Sequence, residues 1–107
     1  MSPFRRRRFD ALVSRQLDLF AADDAELLQE AADAEEAWNR VARDAAEEAY
    51  GDYQLVVDAI ADRLLEIRER YAHTLDDEAA LEYVAAFNRA ATRRFRRYAT
   101  LLSDLDA

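Results

Sequence analysis

The sequence predicts an all-α protein, an antiparallel helical bundle or long helical hairpin, on three observations. Apolar residues recur at helical spacing almost from end to end. Ala, Leu, Glu and Arg dominate a chain with a single Gly, Gly51, and a single Pro, Pro3. The β-branched residues and turn formers that strands and hairpins need are scarce. At 107 residues the expectation is one helical domain over 1–107 with one modest core, and with 1–8 a basic, flexible tail.

The first element is a short amphipathic helix over 10–22, carried by the stripe Phe9, Leu12, Val13, Leu17, Phe20. The next begins after Asp23 and Asp24, acidic residues suited to an N-cap and first turn. Its stripe is Leu27, Leu28, Ala31, Trp38, Val41, Ala42, Ala45, Ala49, and a further one follows in Tyr53, Val56, Val57, Ile60, Leu64, Ile67, Tyr71, Leu75. Gly51-Asp52 separates the two. A Gly at the end of one helix and an Asp capping the next would make a tight turn there, and 24–103 would then fold as a three-helix bundle. Yet the phase runs on through 38, 42, 45, 49, 53, 56, 60, 64 without a slip, and one Gly inside a helix costs only about 1 kcal/mol. That continuity favours one long helix over 24–74, bent or broken at most at Gly51. So long a stripe would need a second copy to cover it, which gives the expectation of a homodimer. The last helix, 77–103, opens on Asp76, Asp77 and Glu78 and carries Ala80, Val84, Phe87, Ala91, Phe95, Tyr98, Leu102.

Several function classes have no foothold. With no Cys there is no thiolate nucleophile and no sulfur-built zinc site. His73 is the one histidine, and position 70 is Arg, so the Glu-x-x-His pair of a di-iron bundle is missing; its neighbour Glu69 more simply pairs with it on a solvated face. One Gly cannot build a phosphate loop. Ser2, Ser14 and Ser103 lie far from His73 in sequence. Adjacent acids such as Glu35-Glu36 and Glu47-Glu48 read as solvated helix surface rather than acid–base pairs. No enzyme activity and no cofactor or metal are expected. The basic run up to Arg8 is followed by Asp10, Arg15 and Asp18 rather than an apolar core, so neither a signal peptide nor a membrane span is expected, and the cytoplasm is the default. All fifteen basic residues are Arg, a codon signature of a GC-rich, bacterial genome.

Gln16-Leu17-Asp18-Leu19-Phe20 carries the sharpest signal. A peptide that docks in a preformed apolar cleft needs two adjacent large anchors, here Leu19 and Phe20, and an amide that fixes register, here Gln16. The five residues resemble the short motif by which bacterial polymerases, mismatch-repair proteins and initiation regulators hold the ring-shaped DNA sliding clamp, and every position fits its consensus. The resemblance covers these five residues alone. It implies a clamp-binding accessory protein in which Leu17 bridges two subsites, Asp18 points outward, and the bound segment is largely extended. The alternative is a structural or adaptor bundle that self-associates, with 9–20 an ordinary core helix.

The net charge of −8 is unevenly spread: residues 1–22 hold a net +3 and residues 23–50 a net −8. Arg89, Arg93, Arg96 and Arg97 share one face of the last helix and are candidates for contact with nucleic acid. The overall acidity keeps that contact weak, and Phe95 and Tyr98 fall on the core stripe rather than on a base-stacking platform. Trp38 likewise reads as core.

Overall fold

The computed structural model of the chain describes residues 8–101, with side chains as far as Tyr98. Among these residues it shows four α-helices and no strand: α1 (Asp10–Asp23), α2 (Ala25–Arg40), α3 (Ala46–Ala72) and α4 (Asp77–Arg94). Single 3-10 segments at Arg43–Ala45 and Arg96–Leu101 complete it. The expected basic tail lies outside the described residues except for Arg8, which approaches Glu82 at 3.7 Å.

Asp24 is at once the C-cap of α1 and the N-cap of α2 (φ −110°, ψ 31°), so only one residue breaks the helical path. Together α1 and α2 extend about 45 Å at 1.5 Å per residue, close to the 52 Å long axis of the molecule. Asp24 does not cap α2 with its side chain. Its carboxylate instead accepts from Arg63 Nε of α3 at 3.2 Å.

The expected long helix over 24–74 is a hairpin. It does not break at Gly51, which lies inside α3 with an ordinary negative φ and open space where a Cβ would sit. It breaks at Val41 and Ala42, both extended (ψ 155° and 160°). No Gly or Pro marks that site, so a tertiary contact decides it. In an unbroken helix Trp38 and Tyr53 would stand about 22 Å apart along the axis. Reversal stacks their rings at 5.6 Å and brings Tyr50 to 4.8 Å from Trp38. The ion pair of Asp24 with Arg63 and the hydrogen bond from Tyr53 to Glu35 (3.2 Å) show α2 and α3 antiparallel.

Helix α4 returns antiparallel to α3, with Arg68 Nη1 donating to Asn88 Oδ1 at 2.9 Å and the rings of Tyr71 and Tyr83 at 4.8 Å. Its N-cap is Asp76, whose carboxylate accepts from the Ala79 amide at 2.8 Å. The expected continuation to residue 103 ends at Arg94. Phe95 leaves helical geometry (φ −109°, ψ 42°) and the chain tightens into a 3-10 segment. Three residues per turn keep Phe95 and Tyr98 on one side, where Phe95 meets Phe20 and Tyr98 meets Tyr53.

The core runs the length of the molecule through Phe9, Val13, Leu17 and Phe20 of the first helix and its N-cap, Val57, Ile60 and Leu64 of α3, and Tyr83, Phe87 and Ala91 of α4. The apolar stripe on which the expectation of a second copy rests is thus covered within one chain.

Candidate functional site

The five motif residues lie in α1, and helical geometry parts them. Leu17 and Phe20, three apart on the inner face, are 1% and 2% exposed. Phe20 meets the Phe95 ring edge-on at 5.6 Å. Gln16 flanks them, half-buried, and its Oε1 accepts the Tyr83 hydroxyl at 2.8 Å. Asp18 faces outward and takes Arg94 Nη1 at 2.6 Å. Leu19 projects into solvent, 57% exposed. The two adjacent anchors that a cleft would receive together therefore point in different directions, about 100° apart, Phe20 into the core and Leu19 into solvent.

Helix α1 is seated on α4 from end to end. Arg8 with Glu82 and Phe9 with Tyr83 (5.6 Å, edge-on) hold its start; Asp18 with Arg94 and Phe20 with Phe95 hold its end. Matched order at both ends shows that the two helices run parallel. Tyr83 and Arg94 escaped the sequence reading. Tyr83 gave no signal beyond its place between core positions, and Arg94 counted only as one more basic residue.

Of the four arginines considered for nucleic acid, the structure leaves three without an ion pair among the described residues, two in α4 and one in the 3-10 segment after it. These are Arg89, Arg93 and Arg96, all exposed. Arg97 turns away to Glu35 Oε1 at 2.9 Å. Glu35, with 18% of its side chain exposed, thereby joins Arg97 to the Tyr53 hydroxyl and ties the C-terminal 3-10 segment to the α2–α3 hairpin. Trp38 belongs to the aromatic cluster with Tyr50 and Tyr53. His73 is the exposed C-cap of α3, its amide donating to the Glu69 carbonyl.

Two phenols feel the interior strongly. Burial, helped by the Glu35 carboxylate, pushes Tyr53 up to about 12. Burial also pushes Tyr83 up to about 12, and raises Tyr98. Among the described residues no group of three or more His, Cys, Asp or Glu is placed to hold a metal ion, and no helix is long and apolar enough to cross a membrane. Comparison with known protein families, curated proteins and solved structures finds no match to the chain.

Two outcomes follow from this packing. Phe20→Ala lowers stability by about 3–5 kcal/mol and Leu19→Ala by less than about 0.5 kcal/mol, as read by denaturant unfolding. The unfolded tyrosines ionise near pH 10, but Tyr53 and Tyr83 hold their protons to about 12 in the fold. Stability is therefore unaffected by these groups below about pH 10 and falls as pH rises from there toward 12. Phenolate absorbance followed alongside denaturant midpoints checks this, with Tyr53→Phe and Tyr83→Phe as controls.

Proposed function

We propose that this chain is a non-enzymatic interaction protein, a helical adaptor in which 9–20 serves as a core helix and partners meet its outer helix faces. The observation that carries this reading is the burial of Leu17 and Phe20. An extended docked segment would have to leave the bundle first. Freeing it exposes Phe9, Val13, Leu17 and Phe20, all buried here, at about 1.5–3 kcal/mol each. The sum, about 6–12 kcal/mol, is comparable with the whole stability of a domain this size. It also matches the free energy of a micromolar complex, about 8 kcal/mol, so little affinity would remain.

Binding to the bacterial sliding clamp is the second reading. It is favoured by the match at all five positions and by the outward placement of Asp18 and Leu19, which leaves one anchor accessible. Docking would then begin on Leu19 and draw α1 out of the bundle.

Calorimetric titration of the full chain into a purified bacterial sliding clamp separates the two. The adaptor reading expects no binding at about 50 µM, well weaker than the micromolar range. Micromolar binding that Leu19→Ala abolishes, while the variant's circular dichroism stays that of the wild type, overturns it in favour of the clamp.

A further inference from the structure

Arg89 and Arg93 of α4 and Arg96 of the 3-10 segment that follows it, which make no ion pair among the described residues, have a counterpart on α3. Asp58, Asp62 and Glu66 stand at one-turn intervals on the exposed side of that helix. Asp58 and Asp62 make no ion pair among the described residues, and Glu66 is shared only with Arg63 and Arg70 of its own helix. Arg89, Arg93 and Arg96 have nearly the same spacing and the opposite charge. The contacts that seat α3 and α4 against the first two helices run through other residues, Tyr53 and Arg63 on one and Tyr83, Arg94 and Phe95 on the other.

The register of the two helices makes the match sharper. Arg68 meets Asn88 and Tyr71 meets Tyr83, so residues whose numbers add to about 155 lie level across the antiparallel pair. Glu66 is level with Arg89, Asp62 with Arg93, and Asp58 with Arg96. Within one chain these partners diverge to the exposed flanks of their helices and do not pair. A two-fold axis parallel to the helices lays α3 of one protomer antiparallel on α4 of another without sliding either along its length. Every level is then kept, and the contact occurs twice.

We infer that the exposed side of the α3–α4 pair binds a second copy of this chain, with Asp58, Asp62 and Glu66 facing Arg96 of the partner subunit, Arg93 of the partner subunit and Arg89 of the partner subunit. Charge complementarity selects this occupant over nucleic acid. A phosphate backbone would satisfy the arginines but would meet the acids one helix away, on a chain of net charge −8. Leu55 and Leu81, 69% and 74% exposed, flank the two ends of the same stripes. This rests on the adaptor reading only in taking the outer faces as binding surfaces, and the clamp titration tests that reading independently.

Sedimentation of the full chain across concentration and salt tests the interface. The wild type forms a dimer whose dissociation constant rises at least about tenfold between 0.05 and 0.5 M salt. Arg89→Glu/Arg93→Glu and Asp62→Arg/Glu66→Arg are each monomeric, with the wild type's circular dichroism because all four positions are exposed. Mixed one to one, they restore a heterodimer, since each reversed charge again meets its opposite at its own level. A wild type that stays monomeric at about 100 µM in low salt overturns the proposal. So does a dimer indifferent to both double variants, which would place the interface elsewhere. So does salt-sensitive binding to duplex DNA that depends on Arg89 and Arg93 in a chain that does not self-associate.

Discussion

The seating of α1 on α4 is the contact from which the rest of the arrangement follows. Leu17 and Phe20 close the core between the two helices, and Phe20 meets Phe95 where α4 gives way to the 3-10 segment. That segment carries Tyr98 to Tyr53 and Arg97 to Glu35, so the hairpin at the far end is fixed to the same framework. The polar contacts around Phe20 are peripheral by comparison. Asp18 with Arg94 is an exposed pair worth a fraction of a kcal/mol in water. The Tyr83–Gln16 hydrogen bond matters more for where it sits: Tyr83 is fully buried, and without Gln16 its hydroxyl would lose its partner.

A stretch of five residues can thus fit a docking consensus and a helix stripe at once, because the two demand different geometries of the same side chains. An extended peptide directs Leu19 and Phe20 toward one cleft. A helix turns them about 100° apart, and the core accepts only Phe20. The sequence cannot distinguish these, since the deciding fact is whether α4 offers Phe95 and Tyr83 at the right level, some 70 residues away. The same holds for the hairpin. Periodicity from Trp38 to Tyr71 reads as one helix because both halves point their stripes in phase, and only the stacking of Trp38 on Tyr53 reveals the reversal at Val41.

What was legible in the sequence is local. The fold class, the start of α1 at Asp10, the cap at Asp76 and the core role of Phe95 and Tyr98 all follow from spacing or from the chemistry of one turn. The arginine cluster was visible as a face, but its division was not: Arg94 and Arg97 are claimed by Asp18 and Glu35, acids remote in sequence. Asp24 takes the N-cap position of α2 as expected, but its side chain binds Arg63 rather than the amides of the first turn, for a similar reason. Each miss records a long-range contact overriding a local preference. The charges left over are the informative ones. Asp58 and Asp62 of α3 and Arg93 and Arg96 at the end of α4 and just beyond it make no ion pair among the described residues and lie level with one another, which is the ground of the proposed self-association.

The burial of Val13, Leu17 and Phe20 makes α1 part of the cooperative core rather than a loosely held arm. Native-state hydrogen exchange tests this most directly. If it holds, the amides of Val13 to Phe20 exchange only through global unfolding, with the same free energy and denaturant dependence as those of Val57 to Leu64 in α3. Exchange of α1 through a local opening several kcal/mol below that of α3, with α3 and α4 still protected, would contradict it.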